Sequence, residues 1–127
     1  MEKKGNLNSS KEFLLNSAPE IISILKTIAH QKRFEILILL LEGPLTFQKL
    51  LEKTTLKKSA LSNHLNDLKD KHLVDKVQHG TYKITDYGKN YVKSIENAYR
   101  ENYNIKKKIK EKNQMLKLTK SFLERDR

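Results

Sequence analysis

The stretch that decides the fold is Leu56–Leu73, LKKSALSNHLNDLKDKHL. At helical period Leu61, Leu65, Leu68 and His72 fall four, three and four residues apart, one stripe for a core. The opposite face carries Ser59, Ser62, Asn63, Asn66 and Lys69, where a helix needing only solubility would show Glu and Lys. Small hydroxyls and amides let another surface approach closely while still offering hydrogen bonds, and an Asn amide can pair with an adenine edge. Lys57 and Lys58 stand in the first turn, where the helix dipole disfavours cations unless an anion such as phosphate sits beside them. On this stretch alone an ordinary amphipathic helix with a solvated polar face fits equally well.

The surrounding chain narrows the choice. Its 127 residues are one domain's worth. Lys and Arg number 26 against 15 Asp and Glu, a formal net charge of +11, which calls for a polyanionic partner, either nucleic acid or an anionic membrane surface. The absence of cysteine excludes disulfides and thiolate metal sites. The longest apolar run, Ile36–Leu41, is far too short to span a membrane, and MEKKGNLNSS has no apolar signal core. A cytoplasmic protein without a membrane partner is the expectation. No Gly-rich phosphate loop, diagnostic carboxylate pair or nucleophile motif is present, so neither an enzyme nor a cofactor is expected.

On the N-terminal side, residues 1–16 read as a partly disordered arm with at most a short helix carrying Phe13, Leu14 and Leu15. Asn16-Ser17-Ala18-Pro19 reads as a break, with Pro19 in the first turn of a new helix bearing Ile21, Ile24, Leu25 and Ile28. Phe34–Leu41 is apolar almost all round, a central buried helix stopped at Gly43-Pro44. Thr46 can cap a short helix whose Phe47, Leu50 and Leu51 share a face, and Thr55 is the expected cap of the next. Two short helices joined by a few residues, the second with a polar outer face, describe a helix-turn-helix. Val74–Ile84 then reads as a hairpin with a two-residue turn at His79-Gly80.

Thr85 or Asp86 caps a long last helix. Along it Tyr91, Ile95, Ala98, Asn102, Ile105, Ile109, Lys112, Leu116, Thr119 and Leu123 alternate at spacings of four and three. One small domain cannot cover a stripe that long, so it needs a partner helix. The competing expectation is fraying beyond Ile109, because the residues from Arg100 onward carry +6, ten bases less four acids.

Helix, helix, helix-turn-helix, hairpin, helix is the order of the winged-helix fold, and the residues carry the likeness further. LKTIAHQKRFEIL (25–37), LEGPLT (41–46) and SALSNHLNDL (59–68) followed by Leu73-Val74 resemble the ArsR-type transcriptional regulators. YKITDYGK (82–89) is similar to the second wing strand and last-helix start of many winged-helix regulators. The resemblance implies a mainly α fold with a small β-hairpin wing. It implies a winged helix-turn-helix DNA-binding domain over 17–86 and a long dimerisation helix over 87–127. The implied function is a homodimeric regulator that binds an operator in double-stranded DNA; the alternative is a winged-helix adaptor for proteins.

Carried over, the family's DNA-reading positions fall on Lys58, Ser59, Ser62 and Asn63, with Lys57 at the helix entry where phosphate is met. Asn66 and Lys69 of the same polar face, and Lys76, His79 and Lys83 on the wing, complete the expected contacts. Dimer contacts fall on Ile21, Ile24, Tyr91, Ile95, Ala98, Asn102, Ile105 and Ile109. Lys57 replaces the small capping residue common in the family, and Asn63 a common Arg. The wing is very short and lacks Arg, which argues against a minor-groove contact. Many members sense metals through Cys on the first helix of the helix-turn-helix or His and acids on the last. Here Phe47–Glu52 has no thiolate and 86–127 neither His nor Cys, so no metal is expected and any effector is of another kind. His64 and His72 lie two turns apart, too far to share an ion, and read as core-edge histidines.

Overall fold

In the computed structural model, which describes residues 2–125, α1 (Glu2–Ile28) leads through a two-residue junction into α2 (Gln31–Leu39). A 3-10 turn at Leu40–Glu42 and the two-residue strand β1 (Leu45–Thr46) precede α3 (Phe47–Thr54) and α4 (Lys58–Asp70). The strands β2 (Val74–Val77) and β3 (Thr81–Ile84) follow, then α5 (Asp86–Arg125). This is a mainly α winged helix-turn-helix with a small antiparallel sheet and a long last helix. The chain divides into two compact units, one ending at Lys89 and the other starting at Asn90.

The core of the first unit is the leucine stripe of α4 set against α1, α2 and α3. Leu61, Leu65 and Leu68 are 0 % exposed, as are Ile36 and Leu37 of α2 and Leu50 of α3. His72 is not on that stripe. The helix stops at Asp70, and His72 turns into the left-handed region (φ 60°), so that Leu73 takes the buried place. His72 N–H donates to Lys69 O (2.9 Å) and Leu73 N–H to Leu68 O (3.0 Å), a Schellman ending that satisfies the last carbonyls of α4.

Side-chain caps set several other helix ends. His30 Nδ1 accepts from the Lys32 N–H (3.3 Å) and Thr46 Oγ1 from the Lys49 N–H (3.1 Å). Thr55, expected to start α4, instead closes α3 in a left-handed conformation (φ 58°), and Lys57 occupies the N-cap of α4 without a side-chain cap. Thr85 Oγ1 accepts from the Gly88 N–H (2.9 Å) at the start of α5 and donates to His72 O (2.7 Å). Gly88 is needed there because a Cβ would lie 2.4 Å from Leu73 O.

The sheet order is β1-β3-β2, with Leu45 opposite Tyr82 and Val77 opposite Thr81. That register leaves Gln78, His79 and Gly80 in the turn, three residues rather than two, with His79 and Gly80 both at positive φ. A two-residue type I′ turn would have suited Asn better than His at its first place.

The N-terminal reading is corrected as well. The arm and the break before Pro19 are absent among the described residues: α1 is one helix from Glu2 to Ile28 with Pro19 inside it. Pro removes one hydrogen bond, but Leu14, Ala18, Ile21 and Leu25 keep helical phase across it. Residue 1 of the expected arm lies outside the described residues. Ile24, expected at a contact between chains, is a core residue of the single chain (4 % exposed), and Ile21 beside it is half-buried. Ile22 and Leu25 are the more open apolar residues of that turn.

In the second unit α5 continues to Arg125 as part of a 40-residue helix, about 60 Å at the standard rise. Ile105, Ile109, Leu116 and Leu123 are 51–62 % exposed. No helix among the described residues is long and apolar enough to cross a membrane.

Candidate nucleic-acid interface

The α4 sequence alternates so that what faces away from the leucine stripe is polar. Lys58, Ser59, Ser62, Asn63 and Asn66 are all exposed on that face, with Lys69 half-buried at its far end. Their side chains enter none of the hydrogen bonds or ion pairs among the described residues, so every donor and acceptor they carry is free for an outside surface. Lys57 is exposed at the N-cap. The first N–H groups of α4 therefore have no side-chain acceptor among the described residues, and the two residues that open the helix there, Lys57 and Lys58, are cationic. Free N–H groups, the helix dipole and two neighbouring lysines are the chemistry that favours an anion at a helix start.

The wing contributes less. Lys76 on β2 lies over the Tyr82 ring, 5.9 Å from its centroid, which holds the ammonium near the sheet. Lys83 on β3 and His79 at the turn are exposed. These three sit in the sheet and its turn rather than on α4, so the predicted contacts form one continuous helical face and a separate, sparser set.

Two residues that sequence reasoning did not single out hold this face in place. Lys32 Nζ on α2 donates to Thr54 O (2.7 Å) at the end of α3 and lies 3.2 Å from Glu35. Arg33 on α2 donates through Nε to His64 Nδ1 (3.1 Å) and forms an ion pair with Asp67, both on α4. Its Nη1 also reaches Thr27 O on α1 (3.5 Å). The rings of His30 and His64 come within 4.5 Å, centroid to centroid, although 34 residues separate them. His64 is held below the ordinary histidine range, first by burial and then by the positive surroundings of His30 and Arg33, with Asp67 pulling the other way. The available signal in the sequence was a Lys-Arg pair opening an otherwise apolar helix, which composition alone assigns to solvent.

No group of three or more His, Cys, Asp and Glu among the described residues is placed to hold a metal ion.

Comparison with known proteins places the chain. The sequence family described as bacterial regulatory protein, arsR family, matches residues 30–76. HlyU from Vibrio cholerae N16961 is 31 % identical, the match covering 66 % of this chain and 95 % of that one, with a TM-score of 0.57. NolR from Sinorhizobium fredii is 30 % identical over 69 % of this chain and 88 % of its own, with a TM-score of 0.59. The structure of NadR in complex with 4-hydroxyphenylacetate shares the fold at 21 % identity over 98 % of this chain and 93 % of its own, with a TM-score of 0.57. No curated protein sequence matches.

Proposed function

This chain belongs to the arsR family of bacterial regulatory proteins, and from that premise we propose that it is a DNA-binding transcriptional regulator that acts as a homodimer on an operator. α4 enters the major groove. Ser59, Ser62 and Asn63 meet base edges, and Asn66 and Lys69 extend the same face. Lys57 and Lys58 meet phosphate at the start of the helix, and Lys76, His79 and Lys83 of the wing flank it. The observation that carries this reading is the polar face of α4, exposed from Lys58 to Asn66 and without a side-chain partner among the described residues, behind an N-terminus that lacks a cap.

The partner helix for dimerisation comes from a second copy. Ile105 and Ile109 remain half exposed in the single chain, and the apolar stripe that contains them begins at Tyr91 and Ile95 and passes Ala98 and Asn102. Ile21 and its neighbours on α1 supply the other half of the contact. An Asn at a seam position pairs best with its own copy, which fixes register at a cost in stability.

Two substitutions test the reading. Asn63→Ala should cost about 1–3 kcal/mol on the preferred duplex and little elsewhere. Lys57→Ala should weaken binding to every duplex and lower the salt slope by about one counterion's worth. If neither changes affinity in a gel-shift titration, α4 is not in the groove, and a protein adaptor takes the place of the regulator.

A further inference from the structure

Leucine packing turns the apolar stripe of α4 inward and so sets its rotation coarsely, and polar links, which unlike apolar burial are directional, refine it. The directional links are few, and Arg33 supplies the principal one. Its guanidinium, planar and always charged, reaches two residues three apart on one flank of α4: Nε to His64 Nδ1 at 3.1 Å and Nη2 to the Asp67 carboxylate. His64 and Asp67 directly follow Asn63 and Asn66, so turning this flank turns the reading face. The adjacent Lys32 holds the end of α3 at Thr54 O, and two consecutive residues of α2 thus tie both helices of the helix-turn-helix.

The link has a chemical condition. Guanidinium only donates, so His64 must offer Nδ1 as a lone pair, which requires the neutral ring with its proton on Nε2. Uptake of a proton at Nδ1 sets donor against donor and cation against cation. The groups facing His64 are Arg33 from α2, the His30 ring at 4.5 Å from the α1–α2 junction, and Asp67 on α4 itself. Only Asp67 favours the charged ring, and Arg33 already engages it.

We propose that Arg33 is a positioning residue for sequence reading, acting through His64 and Asp67 to set the rotation of α4, and that it does so only while His64 is neutral. This rests on α4 being the DNA-reading helix. Acidification then lowers discrimination between operator and random duplex, while general phosphate affinity persists. This sets it apart from a stabilising core contact, whose loss lowers both together.

The test is the ratio of affinities of the full-length protein for its selected operator and a scrambled duplex, measured from about pH 8 down to about pH 5.5. For the wild-type chain the ratio should fall severalfold by the acid end of that range, less than the roughly tenfold an unshifted histidine would give, because His64 is held below its ordinary value. A ratio that stays flat while the His64 ring nitrogens titrate overturns the proposal. His64→Asn puts an amide oxygen where Nδ1 accepts from Arg33 and cannot titrate, so its ratio should stay high and flat. Arg33→Lys keeps the charge but loses the fork, so its ratio should be low at every pH. Nitrogen chemical shifts of His64 in the free protein should show the Nε2–H tautomer; an Nδ1–H tautomer overturns the proposal without any DNA present. Asn63→Ala separates the two levels. If it leaves the ratio unchanged, the reading of α4 has failed. If it collapses the ratio while His64→Asn retains the wild-type pH dependence, or Arg33→Lys the wild-type ratio, the positioning role is wrong and the reading of α4 stands.

Discussion

Leu65 and Leu116 are the same side chain on the same kind of element, at stripe positions of two amphipathic helices, and the chain treats them in opposite ways. Leu65 on α4 is 0 % exposed and Leu116 on α5 is 60 % exposed. The first unit brings its own partners to its apolar stripe. The second presents a stripe that stays more than half exposed along the distal helix among the described residues. Helical periodicity measures amphipathicity and says nothing about whether the covering surface belongs to the same molecule.

The sharpest way to break this comparison is to truncate both leucines. Leu65→Ala should destabilise the first unit by about 2–5 kcal/mol, the usual cost of a cavity in a packed core. Leu116→Ala should stay within about 0.5 kcal/mol for dilute, dissociated chains. Denaturant unfolding followed by circular dichroism measures both, and equal losses would show that the distal helix has a partner within its own chain. The second test moves to association. Truncation after Tyr99 should yield a mostly monomeric protein in sedimentation, with binding to a full palindrome reduced about a hundredfold and half-site binding nearly retained. A truncated chain that remains dimeric shifts the dimer contact off the long helix.

Smaller effects sharpen the contrast at the helix starts. Thr46→Ala removes a cap and should cost about 1 kcal/mol. Lys57→Ser offers α4 the cap it lacks and should raise the melting temperature by a few degrees, on the order of 1 kcal/mol for a domain of this size, while weakening DNA binding. A stabilised variant with undiminished affinity would show that phosphate does not use this site. The smallest effect is that of pH on stability. Because His64 is held below its ordinary value in the folded chain, the unfolded chain binds the proton more readily. Stability should be constant above the unfolded value of about 6.5 and decline as pH falls from there towards the lowered folded value. Comparing the wild-type chain with His64→Gln by thermal melting isolates this contribution, and identical profiles would remove it.

Much of the molecule was legible because its elements follow their own periods. The three leucines of α4, the Thr46 cap, the wing strands and the long last helix all follow from local pattern and local chemistry. What local pattern missed is set by tertiary context. β1 is two residues long, below any readable alternation, and exists because β3 lies beside it. Thr55 was a reasonable cap by residue type, but the turn needed a left-handed residue there and placed Lys57 at the cap instead. Pro19 was a sensible helix start until the phase on both sides proved continuous. At the candidate site the exposed face was readable residue by residue. The Arg33–His64–Asp67 cluster was not, since Arg33 lies more than thirty residues in sequence from the other two.

The four-residue strands of the wing bear on how much sequence one protomer could specify. At about 3.3 Å per residue such a strand extends only about 13 Å, and it carries no arginine to enter a narrow groove. α4, at 13 residues, is about 20 Å long, and its polar residues from Ser59 to Asn66 span about two turns. That length faces roughly three or four base steps at about 3.4 Å each. An operator selected by this protein should therefore hold its information in two short blocks, one per protomer, with spacing between them strictly kept and flanking sequence nearly free to vary.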